Sequence, residues 1–155
     1  MSVSVEDVVG ELVGLLCERL DNPIGSILRL DFGPLALRAD DSPTARPHGW
    51  RHLTVFSPWR VQTDREIISD WNVDGGPSGL IEPSLRHLVG RTVEAALTRP
   101  PAWDLIVSFS GGIQLVVFGD CMDERDHAWF ILGTDGIDIV AAPIVRPLED
   151  IRRSG

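Results

Sequence analysis

The chain has 155 residues, 43% of them hydrophobic and 24% charged, with a formal net charge of −9. These are the proportions of a single soluble globular domain spanning 1–155, able to bury about 70% of its unfolded surface without a disulfide or a metal. The 14 basic residues are all arginine, and the average field repels a phosphate backbone and attracts a basic protein, which excludes nucleic acid as an expected partner.

Missing lysine beside abundant arginine, alanine, aspartate and glycine points to a GC-rich bacterial genome. Cys17 and Cys121 make no disulfide framework and read as free thiols of a reducing compartment. The segment "MSVSVEDVVGELVGLL" has no basic leader, and Glu6, Asp7 and Glu11 interrupt its apolar positions. It is neither a signal peptide nor a membrane span, and the expectation is a cytoplasmic protein with no membrane partner.

Val5, Val8, Val9, Leu12, Val13, Leu16 and Leu20 recur at the helical period, so the first element is an amphipathic helix that includes Cys17. Ser4 is its N-cap, and "DNP" at Asp21–Pro23 ends it. Strands dominate from there. "ILRLDF" alternates, Gly33-Pro34 turns, and "LALRA" continues, which would place Phe32 opposite Leu35 and Leu30 opposite Leu37. "DDSPTARPHG" is a proline-broken loop. "WRHLTVFSPWRVQT" gives two strands separated at Pro58, and "EIISDWN" another.

Residues 73–79, "VDGGPSG", form a flexible connection, followed by a helical turn capped by Ser84 and stopped by Gly90. "RTVEAAL" is a strand. "WDLIVSFSGGIQLVVF" is a hairpin in which Phe109 faces Ile113, Val107 faces Leu115 and Leu105 faces Val117, with Ser108 and Gln114 sharing the other face. "HAWFILG", Asp135-Gly136 and "IDIVAA" close the chain as a second hairpin. The fold class is α+β: an N-terminal amphipathic helix and mostly antiparallel sheet. Two loosely similar halves, 25–72 and 85–142, align Gly25 with Gly90 and Trp50 with Trp103.

The densest chemistry lies in "DCMDERDH", where Asp120, Asp123, Glu124 and Asp126 surround Cys121 and His127. The acids are not alternate, and no glycine stands among them, so a calcium loop of the EF-hand kind fails. Zinc finds two soft ligands where it needs three or four, and the carboxylates raise the pKa of the Cys121 thiol, which weakens a thiolate nucleophile. No metal or other cofactor is expected, and no catalytic residue is assigned. "SFSGG" lacks the strand–serine–helix order of a nucleophile elbow. His48 and His52 are four apart, but Gly49 and the strand after it do not suit a helical zinc pair, so both read as surface imidazoles. The five tryptophans read as core, with Trp71 the one expected to be exposed and able to anchor a partner.

"LVGRTVEAA", "LIVSFSGGIQLVV" and "HAWFILGTDG", within roughly Leu85 to Ala142, resemble small bacterial domains of unknown function from high-GC genomes, built from two related β-rich halves. The long proline-rich loop of the first half departs from that pattern. Some such domains are encoded beside toxins and resemble immunity proteins, and these structural motifs transfer no catalytic residues. The resemblance supports the fold more than a function; small size, strong acidity, an acidic connecting loop and the failure of each catalytic constellation lead to the expectation of a non-enzymatic, protein-binding domain, an immunity-type inhibitor of a basic toxin. Asp120, Asp123, Glu124, Asp126 and Trp71 are the candidate contacts, and the chain is expected as a monomer or weak homodimer. The four acids also read as a solvated turn. Two alternatives stand beside this: a small metal-dependent or hydrolytic enzyme using the 120–127 loop, and a structural domain that self-associates through a sheet edge.

Overall fold

The computed structural model describes residues 4–37, 42–73, 75–76, 79–119, 128–136 and 138–141. The fold is mostly antiparallel β: two five-stranded sheets whose apolar faces meet in one core. The first sheet has the order β1-β2-β3-β9-β10, with β1 Cys17–Asp21, β2 Leu28–Phe32, β3 Arg51–Val55, β9 Trp129–Gly133 and β10 Ile139–Ala141. The second has the order β5-β4-β8-β7-β6, with β4 Trp59–Gln62, β5 Ile67–Asp70, β6 Val93–Arg99, β7 Asp104–Phe109 and β8 Ile113–Val117.

Alternation supplies both inner faces. Leu28, Leu30, Phe32, Leu53, Val55, Trp129 and Ile131 point in from the first sheet, and Trp59, Val61, Leu105, Val107, Phe109, Leu115 and Val117 from the second, all fully buried. Each such side chain contributes about 1.5–3 kcal/mol by leaving water, so this double row is the main stabilising element. The indole of Trp59 donates to the Ser26 carbonyl at 2.7 Å and that of Trp129 to the Trp103 carbonyl at 2.8 Å, which satisfies the polar atom of each.

Among the described residues helices are few and short: α1 Val5–Gly10, α2 Ile81–Leu85, and a 3₁₀ turn over Arg86–Leu88. Ser4 caps α1, its hydroxyl accepting from the Asp7 N–H at 3.1 Å. The helix expected to run to Leu20 stops at Gly10, and Cys17 lies in a strand. Gly14 takes φ +90, a left-handed turn that breaks the helical path, and the chain beyond it exchanges hydrogen bonds with residues 90–93. Ser84 is not a cap: α2 begins at Ile81, and the Ser84 hydroxyl donates back to the Ile81 carbonyl at 2.7 Å.

The hairpin expected at Gly33-Pro34 does not form. Leu30 faces Leu53 and Phe32 faces Arg51, so β2 pairs with β3 across the long connection. Pro34 has no N–H to give a ladder, and β3 offers Leu53 and Val55 for burial, whereas Leu35 and Leu37 stay exposed. The β7–β8 register is the one the alternation predicts: Phe109 with Ile113, Val107 with Leu115, Leu105 with Val117. Gly136, at φ +84, turns β9 into β10.

The halves of the chain mirror one another in their bonds. A meander, β1-β2-β3, occupies one sheet and continues into the β4-β5 hairpin of the other; β6-β7-β8 and β9-β10 do the same in reverse. The Gly14 N–H donates to the Val93 carbonyl at 2.8 Å and the Gly90 N–H to the Cys17 carbonyl at 2.8 Å. Cys17 N–H donates to Arg91 and Val93 N–H to Leu15, each at 2.9 Å. Gly14 and Gly90 share φ +90, and each meander bulges one residue in, after Cys17 and after Val93. The bonds therefore relate Gly14 to Gly90, and Ser26 to Trp103.

Arg51, 1% exposed, is held between the Glu11 carboxylate at 3.0 Å and that of Asp135 at 2.8 Å, and its guanidinium stacks on Trp50 at 3.9 Å. This tie joins the segment after α1, the start of β3 and the β9–β10 turn. Asn22, also buried, accepts from the Gly76 N–H at 2.6 Å and fixes the connection between the halves to the β1–β2 turn.

Candidate functional site

The four carboxylates Asp120, Asp123, Glu124 and Asp126, with Cys121 and His127, lie outside the described residues. Trp71, expected to be exposed, is half-buried against the core, its N–H donating to the Trp59 carbonyl at 3.0 Å and its carbonyl accepting from the Ser26 hydroxyl at 2.6 Å.

A different cluster is assembled on the outer face of the first sheet. The alternation that turns Leu30 and Leu53 inward turns Asp31, His52 and Thr54 outward, and the β2–β3 register sets Asp31 opposite His52. These three are nevertheless 1%, 3% and 4% exposed. The returning segment 42–49 lies beside them. Arg46 pairs with Asp21 at 2.6 Å, the Pro47 carbonyl accepts from Arg19, and His48 exchanges both backbone bonds with Ala36 at 2.7 and 3.0 Å. A Cβ on Gly49 would stand 2.6 Å from the Phe32 nitrogen, so only glycine lets the segment approach β2 this closely.

The cluster centres on one carboxylate. Asp31 Oδ1 accepts from the Gly49 N–H at 2.9 Å and lies 2.8 Å from His52 Nδ1, while Oδ2 accepts from Arg19 Nε at 3.0 Å. His52 Nε2 is 2.9 Å from Thr54 Oγ1. His48 Nδ1 stands 3.7 Å from Asp31 Oδ1, and the two imidazole rings are 4.4 Å apart. His48 and His52 are thus not separate surface imidazoles: His52 is buried, and the loop delivers His48 to it.

Burial pushes the Asp31 carboxyl up, but the hydrogen bonds from His52 and the Gly49 N–H, with the charges of His52 and the bond from Arg19, outweigh it and hold the group well below the usual carboxylate range. Burial, then the neighbouring charge of His52, holds the His48 imidazole below its ordinary value, against the pull of Asp31. The buried His48 Nδ1 has no hydrogen-bond partner, a condition that costs about 1–3 kcal/mol unless something else satisfies it.

Asp31, His52 and Thr54 form an acid–imidazole–hydroxyl relay like that of a hydrolase, but the Thr54 hydroxyl is buried and anchors the imidazole. The carboxylate and two imidazoles have donor atoms within 4.8 Å of one another. In the other half the corresponding places on β7 and β8 hold Ser108 and Gln114, hydrogen-bonded at 3.2 Å. They line an open groove of about 220 Å³ with Gln62, Thr63, Asp64 and Glu94. A tight turn joins β7 to β8, so no connecting segment like 42–49 runs between them to cover it among the described residues.

Sequence reasoning tested His48 and His52 only as a helical pair. The available signal was a polar residue, Asp31, at an outward strand position, but its partner becomes visible only once β2 is known to pair with β3. No protein-family model, curated protein or solved structure matches the chain.

Proposed function

We propose that the chain is a non-enzymatic, cytoplasmic protein-binding domain, an immunity-type inhibitor of a basic protein such as a cognate toxin. The observation that carries this reading is the placement of the arginines. Arg19, Arg29, Arg46 and Arg51 are committed to Asp31, Asp21, Glu11 and Asp135. Glu6, Asp7, Glu18, Asp64, Glu66 and Glu94 are exposed and form no ion pair among the described residues. Arg65, Arg86 and Arg99 are exposed as well, but exposed carboxylates outnumber them among the described residues, and with a net charge of −9 the surface steers a basic partner and repels an acidic one.

A second observation supports the reading. Glu18 and Glu94 occupy the matching bulges of β1 and β6, directly after the paired segments 14–17 and 90–93. Those segments carry or adjoin Val13, Leu16 and Val89, which are 48%, 43% and 43% exposed. An apolar centre with a charged rim is the anatomy of a protein interface. Asp120, Asp123, Glu124 and Asp126 join the proposal on sequence grounds.

The test is capture from lysate of the native organism on the immobilised chain, at low and high salt, followed by reconstitution with the purified partner. One basic protein should be retained, released by salt, held less tightly by the E18Q/E94Q or D120N/D123N/E124Q/D126N variant, and inhibited on reconstitution. Retention indifferent to salt and to both variants, or a partner whose activity is unchanged, would refute the reading.

A further inference from the structure

We infer that Asp31, His48 and His52 form a binding site for a divalent transition-metal ion of the zinc class. Three donors converge from three places: Asp31 from β2, His52 from β3 and His48 from the returning loop. Tetrahedral zinc, with ligands at about 2.0–2.2 Å, sets neighbouring donor atoms about 3.3 Å apart. The separations from Asp31 Oδ1, 2.8 Å to His52 Nδ1 and 3.7 Å to His48 Nδ1, bracket that value. A small rotation of the half-exposed His48 closes the triangle.

The groups behind the donors suit the same role. In the metal-free chain His52 Nδ1 donates to Asp31; a metal displaces that proton, and with the proton on Nε2, donated to Thr54 Oγ1, the lone pair of Nδ1 ligates beside Asp31 and His48. The Gly49 N–H and Arg19 fix the orientation of the carboxylate, one on each oxygen. The unpartnered nitrogen of His48 gains a ligand bond in place of the hydrogen bond it lacks. Two imidazoles and one carboxylate select zinc, cobalt or nickel over calcium or magnesium, which take oxygen sets. The twin place in the other half, with Ser108 and Gln114, has no imidazole.

The experiment uses the full chain, stripped with a chelator and titrated with Co²⁺, with visible ligand-field absorption and displacement by Zn²⁺ as readouts. Wild type should bind one equivalent. His48→Ala, a change at a half-exposed loop position, should keep the wild-type circular-dichroism spectrum and lose the saturable absorption. Thr54→Val retains all three ligands and loses the orienting bond, so its affinity should fall about 10–100-fold. The double variant C121S/H127A should bind as wild type does. No saturable absorption in wild type, an absorption unchanged in His48→Ala, or one abolished by C121S/H127A would overturn the assignment, the last by moving the metal to the 120–127 loop.

Discussion

Phe32 and Phe109 stack across the two sheets with ring centroids 6.3 Å apart and planes at 23°, and each occupies in its own sheet the place the other occupies in its sheet. Phe32 lies opposite Cys17, and Phe109 opposite Val93, the first residues of the two bulged strands. One aromatic contact therefore joins the two meanders where their bonds are reciprocal.

Truncating either ring removes that contact and opens a cavity. Phe32→Ala and Phe109→Ala should each lower stability by about 3–5 kcal/mol in urea denaturation. The double variant should lose less than the sum, by roughly 0.5–1.5 kcal/mol for an aromatic pair. A strictly additive loss would mean that the rings do not interact.

Gly14 and Gly90 both take φ +90 with open space where a Cβ would stand, so alanine there meets only backbone strain. Gly14→Ala and Gly90→Ala should cost about 1–2 kcal/mol each, and equally. Gly49→Ala is different: its Cβ meets the Phe32 nitrogen at 2.6 Å and oxygen at 2.7 Å. It should cost clearly more in the same assay, and lower the protection of the Gly49 amide from hydrogen exchange. A loss no larger than that of Gly14→Ala would show that the loop is not held against β2.

Two acid-induced losses of stability follow from the Asp31 cluster. The His48 imidazole is held below its ordinary value when folded, so the unfolded chain binds the proton more readily and stability falls as pH drops through about 6.5. The Asp31 carboxyl is also depressed when folded; its contribution is present above about pH 3.9 and is lost as pH falls toward its lower folded value. Urea midpoints measured against pH should show both steps, His48→Gln abolishing the first and Asp31→Asn shrinking the second. A profile unchanged in His48→Gln would exclude that imidazole as the upper group.

Cys17 is fully buried, and burial pushes its thiol up to about 12. In a Cys121→Ser background the native chain should resist iodoacetamide at pH 8 and become alkylated only after unfolding. Rapid native alkylation would place Cys17 at the surface.

Much of the sheet was legible because alternation and turn chemistry are local. "LIVSFSGGIQLVV" carries its own register, since only one pairing keeps Leu105, Val107 and Phe109 on the face of Ile113, Leu115 and Val117. The first half was harder to read. "LALRA" alternates as well as any strand, but Pro34 and the competing burial of Leu53 and Val55 decide against its pairing with β2. Residues 12–20 keep a helical period although the helix stops at Gly10, because residues 14–17 bond to 90–93, a partner far along the chain, and Cys17–Asp21 pair with β2. The His48–His52–Asp31 cluster was illegible for the same reason: one member arrives by a loop whose path no local pattern sets.

Each meander lends its following hairpin to the opposite sheet, β4-β5 to the sheet of β6-β7-β8 and β9-β10 to that of β1-β2-β3. Neither half thus owns a complete sheet. The molecule has the organisation of a strand-swapped dimer written in one polypeptide, with the stretch between Trp71 and Ile81 as its tether. Severed there, each fragment would expose a three-stranded sheet lacking two neighbours. The pair would recover the fold only by finding each other, which makes the chain a natural complementation pair held at high effective concentration by a short leash.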